Sequence, residues 1–140
     1  MLACYIGISG VLLIILFNAG AYVDPWVSSK RIGRFFIANI HDNNGPILVS
    51  KILARGVYCF TDQKVAVIDV SGNGFFSPHP IPRFDTEQKV IDFFAQRPIS
   101  YGILEYDHVL DVKRILKDRP YRVDEIKDIG GQWVIRVERI

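Results

Sequence analysis

The sequence predicts an α/β protein in which one apolar helix precedes a small layered domain. Residues 1–23 contain no Asp, Glu, Lys, Arg or His, so every charged residue lies between Asp24 and Ile140. Over that charged part, short apolar runs typical of strands alternate with segments of helical periodicity. The last two strand-like segments flank Gly130-Gly131 and alternate apolar with polar residues, as an antiparallel hairpin does. We therefore expect a transmembrane helix over 1–23 and, over 24–140, a Rossmann-like domain with a mostly parallel sheet and an antiparallel C-terminal hairpin.

The composition limits the classes of protein that the chain can belong to. It has 140 residues, of which 49% are hydrophobic, enough for one domain with one substantial core and too many for a disordered chain. The net charge is +2 with acids and bases interspersed, which argues against a nucleic-acid-binding surface. Cys4 lies in the apolar segment and Cys59 in the charged part, so no disulfide is expected and the redox compartment stays open.

The apolar segment Leu2–Val23 is long enough to span a bilayer. Its 22 residues, at about 1.5 Å per residue, cover the ~30 Å hydrocarbon core. A cleaved signal peptide is an alternative, because Ala19-Gly20-Ala21 resembles a cleavage site, but no Lys or Arg precedes Lys30 to form a positive n-region. A buried soluble helix is the third interpretation. We favour a retained membrane span.

The side of the membrane is harder to predict than the span. Lys30, Arg31 and Arg34 follow the segment and would place the domain of a stand-alone single-span protein in the cytoplasm. If the segment is the last span of a polytopic protein, earlier loops set the topology instead.

The first half of the domain combines one predicted helix with two predicted strands. Asp24-Pro25 is a helix-start signal, and the helix should end near residues 41–45. ILVS (47–50) and VAVIDV (65–70) are almost continuously apolar, which is typical of strands covered on both faces. KILARGVYCFTDQ (51–63) between them fits a strand or a helix, with Ile52, Leu53, Val57 and Phe60 on one helical face.

The second half repeats the alternation. Asp85 and Gln88 have capping-box spacing before a helix that should end at Arg97-Pro98. ISYGILEY (99–106) is the next predicted strand, and Asp107 is expected to cap the helix after it. RVDEIKDI and QWVIRVERI then form the predicted hairpin.

The stretch VSGNGFFSPHPIPRF (70–84) looks at first like a phosphate-binding loop. Gly72 and Gly74 follow a predicted strand, but a dinucleotide fingerprint needs a helix that begins within the motif, and three prolines prevent one. We therefore predict a shaped contact loop. Its contact residues would be Phe75, Phe76, His79 and Arg83.

No catalytic or metal site is predicted. His41, His79 and His108 show no ligand spacing, and we expect no metal and no cofactor. The serines Ser50, Ser71 and Ser77, and Cys59, lack a nucleophile-elbow motif.

A possible ligand site comprises Asp69, Gly72, Gly74 and Arg55. Asp69 ends a predicted strand, where ligands of open α/β sheets gather, although a carboxylate there is more often a turn or cap residue. Arg55, Arg83 and Lys51 could hold an anion or could simply be solvated.

Several segments together resemble a known family. They are DPWVSS (24–29), KILARGVYCFTD (51–62), VAVIDV, FFSPHP (75–80) and ISYGILEY. In order and spacing they resemble the extracytoplasmic C-terminal region of membrane glycosyltransferases related to dolichyl-phosphate-mannose protein mannosyltransferase and aminoarabinose transferase. The resemblance implies that Leu2–Val23 is a final membrane span, that an α/β domain follows it, and that KILARGVYCF is a helix.

The resemblance transfers no catalytic residue. In that family an acidic residue in an early extracytoplasmic loop acts on a polyprenyl-phosphate sugar, whereas this chain has no acidic residue before Asp24. The implied function is a non-catalytic, membrane-anchored domain of such an enzyme, or a companion to it, that shapes acceptor access and packs against its transmembrane helices. One alternative is a single-span interaction or assembly subunit of another membrane complex. A small independent enzyme using Asp69 and the loop from Gly72 to His79 is the least favoured.

Overall fold

A computed structural model describes residues 28–70 and 81–140, which form two layers of helices around one mixed sheet. The four α-helices are α1 (Lys30–Asn39), α2 (Ala54–Thr61), α3 (Glu87–Ala95) and α4 (Tyr106–Leu116). A 3₁₀ turn, Lys51–Leu53, precedes α2. The six strands are β1 (Ile47–Ser50), β2 (Val65–Ile68), β3 (Arg83–Phe84), β4 (Ile99–Glu105), β5 (Tyr121–Ile129) and β6 (Gln132–Arg139).

The strand order in the sheet is β3-β2-β1-β4-β6-β5. The pairs β2–β3, β1–β2 and β1–β4 are parallel, whereas β4–β6 and β5–β6 are antiparallel. The hairpin β5–β6 turns at Gly130 and Gly131, whose φ angles of 62° and 78° suit the tight two-residue turn that glycine permits. The α/β class, the parallel strands and the antiparallel C-terminal hairpin are therefore confirmed.

Each face of the sheet is covered by a pair of helices. On one face, α1 and α2 pack on alternate sheet residues such as Val49 and Val67, and on the other face α3 and α4 pack on Leu48, Ile68 and Leu104. Every residue of β1 and β2 is buried. The continuous apolar runs predicted for these strands follow from their position, because a central parallel strand has no face in water.

The ambiguous segment after β1 is helical, as the family resemblance implied. The face predicted for this helix is only partly correct, because Leu53 and Val57 are buried whereas Ile52 is 68% exposed and Phe60 is 38% exposed. The physical reason is the 3₁₀ turn, whose three residues per turn shift Ile52 off the stripe that 3.6 residues per turn would give.

Three details of the predicted elements need correction. The capping oxygen of α3 belongs to Thr86, whose side chain accepts from the Lys89 amide at 3.4 Å. The N-cap of α4 is Glu105, so Asp107 lies inside the first turn. Arg83-Phe84, predicted as the end of a loop, forms the short edge strand β3.

The predicted membrane span Leu2–Val23 and the predicted helix start Asp24-Pro25 lie outside the described residues. Within 28–70 and 81–140, no helix is long and apolar enough to cross a bilayer.

Candidate functional site

The carboxyl edge of the sheet, where the parallel strands end, is the place at which this topology can form a site. The chain runs outward from β1 to β2 and β3, then returns to add β4 on the other side of β1. The turn after β1 leads to α2 on one face, whereas β4 leads to α4 on the opposite face. The gap between β1 and β4 is therefore a topological switch point, the position at which open α/β sheets bind ligands.

A serine and a histidine meet across this switch point. Ser50 ends β1, and its Oγ lies 2.8 Å from Nδ1 of His108 in the first turn of α4. The same Oγ accepts a hydrogen bond of 2.8 Å from the backbone amide of Glu105, the last residue of β4. One hydroxyl thus connects the end of β1, the end of β4 and the start of α4.

The Ser50–His108 pair is built for positioning rather than for nucleophilic attack. Ser50 is 0% exposed, so its oxygen has no open approach for a substrate carbonyl. The Glu105 amide donates to one lone pair of the Ser50 hydroxyl oxygen, so the hydroxyl can donate its own proton to Nδ1 of His108. In a neutral His108 ring the remaining proton is then on Nε2. His108 itself is half-buried.

The predicted site residue Asp69 forms a buried ion pair with Arg83. Arg83 Nε lies 2.9 Å from Asp69 Oδ2, and the side chains are 25% and 7% exposed respectively. The Asp69 amide donates to Phe84 O at 2.9 Å, which holds the two residues at the ends of adjacent strands. The pair neutralises both charges and ties the edge strand β3 to β2.

The other predicted site residues are placed elsewhere or lie outside the described residues. Arg55, on α2, lines an open groove of about 670 Å³ whose other described lining residues are Pro46, Tyr58, Lys64, Val65, Ile81 and Pro82. Gly72, Gly74, Phe75, Phe76 and His79 lie outside the described residues. The structure therefore brings together Asp69 and Arg83 from the predicted set.

A second, smaller hollow lies at the carboxyl edge beside the switch point. It has a volume of about 260 Å³ and lies between the 3₁₀ turn, the start of α4 and the β5–β6 turn. Its described lining residues are Leu53, Glu105, Tyr106, Asp107, Gly130, Gly131 and Gln132. In the described parts of the chain, no group of three or more His, Cys, Asp and Glu residues is arranged to hold a metal ion.

The Ser50–His108 pair was missed in the sequence because its members are 58 residues apart and neither belongs to a local motif. A signal was present, however. Ser50 ends the first buried strand of the domain, and His108 lies in the first turn of the helix that follows the predicted strand ISYGILEY. The carboxyl ends of neighbouring parallel strands lie at one edge of a sheet. Only the strand order could show that these two strands are neighbours.

The fold and this edge define the class of the protein: an α/β domain whose six-stranded sheet combines parallel strands with an antiparallel C-terminal hairpin. No family profile and no curated protein sequence matches the chain. Its fold is similar to part of ArnT from Cupriavidus metallidurans. The TM-score is 0.53 at 10% identity with the apo crystal structure, over 80% of this chain and 20% of the ArnT chain.

A second ArnT crystal structure, bound to undecaprenyl phosphate, gives a TM-score of 0.50 at 10% identity, over 77% of this chain and 19% of that chain. This chain therefore spans about a fifth of the length of the ArnT structures. At this identity the likeness shows a shared fold, in agreement with the family resemblance of the sequence.

Proposed function

We propose that the chain is a membrane-anchored, non-catalytic domain of, or companion to, a glycosyltransferase that uses a polyprenyl-phosphate-linked sugar, and that it shapes acceptor access. The observation that carries this proposal is the fold shared with about a fifth of ArnT. It is supported by the segments 24–29, 51–62 and 75–80, whose order resembles the C-terminal region of such enzymes. The apolar segment Leu2–Val23 would be the anchor, and the α/β domain would lie outside the cytoplasm.

The chemistry of the carboxyl edge supports a non-catalytic role. Ser50 is buried with its oxygen engaged by His108 and the Glu105 amide, and Asp69 is paired with Arg83. These groups stabilise strand ends, and a transferase would need an acid or base with access to the acceptor. In this proposal the transfer chemistry belongs to the membrane-embedded part of the enzyme.

The proposed contact with that part is made by the loop after β2, through Phe75, Phe76 and His79, together with Arg83. These residues follow Asp69 in the sequence, and Asp69 lies at the carboxyl edge, where open α/β sheets bind ligands or neighbouring elements. We expect the aromatic rings to provide apolar contact area and His79 to provide a polar contact.

Reconstitution of the full chain with a membrane glycosyltransferase tests the proposal. The chain would be co-expressed with each polytopic polyprenyl-phosphate-dependent transferase of its source cell, co-purified in detergent and placed in proteoliposomes. Sugar transfer from the lipid-linked donor would then be measured for the chain alone, the transferase alone and the pair. We expect no transfer by the chain alone and more transfer by the pair than by the transferase alone.

Variants make the test specific for the contact loop. Phe75→Ala and Phe76→Ala should reduce co-purification and transfer, whereas Ile126→Ala, at an exposed residue of β5, should leave both unchanged. Transfer by the chain alone would contradict the non-catalytic part of the proposal. Stable association with a membrane complex that has no transferase activity would instead support the alternative of an assembly subunit.

A further inference from the structure

The first described residues of the chain are held at the carboxyl edge of the sheet. The backbone oxygen of Ser28 accepts from Gln132 Nε2 at 3.4 Å, and Ser29 Oγ donates to the Leu53 backbone oxygen at 3.4 Å. Gln132 begins β6 beside the end of β4, and Leu53 ends the turn after β1. A Cβ atom on Gly56 would lie 2.6 Å from Ser29 Oγ, so this glycine permits the close approach. The N-terminus of α1 is thus fixed at this edge.

The covalent chain limits how far this edge can be from the end of the apolar segment. Five Cα-to-Cα steps join Val23 to Ser28, and they span at most roughly 17 Å. The seven residues of β4 separate the two edges of the sheet by roughly 23 Å at about 3.3 Å per residue. Suppose that the opposite edge, at the amino ends of the parallel strands, rested on a bilayer that contained residues 2–23. Ser28 would then lie farther from the bilayer surface than the connection from Val23 to Ser28 can span.

The carboxyl edge exposes apolar side chains. Ile52, in the 3₁₀ turn after β1, is 68% exposed, and Tyr106, which begins α4 after β4, is 49% exposed. The Tyr106 ring lies against Trp133, with a centroid separation of 5.7 Å. Tyrosine and tryptophan combine an apolar body with a polar tip and are enriched where a protein meets the bilayer interface.

The charges on this edge are mixed. Lys30 and Arg31 lie in the first turn of α1, whereas Glu105 and Asp107 line the hollow beside Tyr106. Electrostatic attraction to lipid headgroups of one sign therefore cannot dominate the free energy of binding to a bilayer. Removal of Ile52 and Tyr106 from water is the stronger contribution to it.

From these observations we infer that the carboxyl edge of the sheet lies on the bilayer surface, with Ile52 and Tyr106 in contact with lipid. The inference rests on the membrane anchor of the proposed function and adds the orientation of the domain and the chemistry of its partner. It also places the Ser50–His108 pair at the membrane-facing end of the domain.

Site-specific quenching in the full chain tests this orientation. In a Cys4→Ser/Cys59→Ser background, Ile52→Cys and Tyr106→Cys would each be labelled with an environment-sensitive dye. The matched control is Ile140→Cys, because Ile140 is 83% exposed and lies at the amino edge, where its amide donates to Pro120 O. The labelled chains would be reconstituted in phosphatidylcholine vesicles with and without nitroxide-labelled lipid.

We expect lipid-borne nitroxide to quench the dye at positions 52 and 106 several-fold more than at 140. Equal quenching at the three positions, or stronger quenching at 140, overturns the inference. A dye at 52 that is shielded from an aqueous quencher but not quenched by lipid also overturns it, because the edge would then be covered by protein.

Flotation of the vesicles separates the two proposals. A chain that does not float lacks the anchor itself, whereas a chain that floats without quenching at 52 has the anchor and contradicts only the orientation.

Discussion

Ser50 and His108, 58 residues apart in the chain, share a 2.8 Å hydrogen bond across the switch point of the sheet. Because Ser50 Oγ also accepts a hydrogen bond from the Glu105 amide, one buried hydroxyl links the end of β1 to the end of β4 and the first turn of α4. This contact sets the geometry of the carboxyl edge, from which the proposed lipid-facing side chains Ile52 and Tyr106 project.

Ser50→Ala should lower the free energy of unfolding by about 1–3 kcal/mol, because it leaves the half-buried Glu105 amide without its acceptor. Urea unfolding of the full chain in detergent would measure the change. Ser100→Ala is the matched control, since Ser100 is 1% exposed and its hydroxyl has no hydrogen-bond partner within the described residues. We expect this variant to be neutral or slightly more stable. Equal losses in the two variants would contradict the role given to Ser50.

Arg83→Met should destabilise the domain by about 2 kcal/mol, because it removes the charge that pairs with the buried Asp69 carboxylate. Asp69→Asn in the same chain should restore part of the loss, since the amide carries no charge. A double-mutant cycle of unfolding free energies measures this coupling. Additive losses would show that the 2.9 Å ion pair does not stabilise the carboxyl edge.

Gly56→Ala should destabilise the protein even though alanine is the better helix former by about 1 kcal/mol. The added Cβ would lie 2.6 Å from Ser29 Oγ and 2.7 Å from Ser29 Cβ, which forces α1 away from α2. Ser29→Gly removes both atoms and leaves an acceptable N-cap, so the double variant should recover the stability. Thermal unfolding of the four chains gives the comparison. A stabilising Gly56→Ala single variant would contradict the close approach of the helices.

Alkaline pH should weaken the fold through Tyr101. Burial raises the pKa of Tyr101 from 10.0 to about 12, and the hydrogen bond to Asp42 adds to this effect. The folded state therefore keeps the phenol proton in a pH range where the unfolded chain loses it. This contribution is complete below pH 10.0 and is lost as the pH rises towards about 12.

The difference in unfolding free energy between the native chain and Tyr101→Phe, followed across that window, measures the effect. The phenylalanine variant keeps the ring that packs edge-on against Phe36 and lacks the titrating group. We expect the native chain to lose stability more steeply with pH than the variant. Parallel curves would contradict the raised pKa of Tyr101.

Much of the fold could be predicted because the burial of a strand is visible in the pattern of apolar and polar residues along it. The central strands β1 and β2 read as continuous apolar runs since both of their faces are covered, and the hairpin β5–β6 alternates around two glycines that can adopt positive φ. Helix caps were harder, because the capping-box spacing pointed to Asp85 whereas the backbone begins α3 one residue later, with Thr86 as the N-cap.

The sequence by itself thus determined the α/β class, the buried strands β1, β2 and β4 and the C-terminal hairpin, all of which depend on local periodicity and turn chemistry. The tertiary structure alone decided which strands are neighbours, and so brought Ser50 to His108 and Asp69 to Arg83. It also decided that Ile52 faces outward, because a 3₁₀ turn changed the phase of the helix that follows. These contacts join residues that are distant in the chain, and the spacing of apolar residues along a segment does not indicate which distant residues the segment will contact.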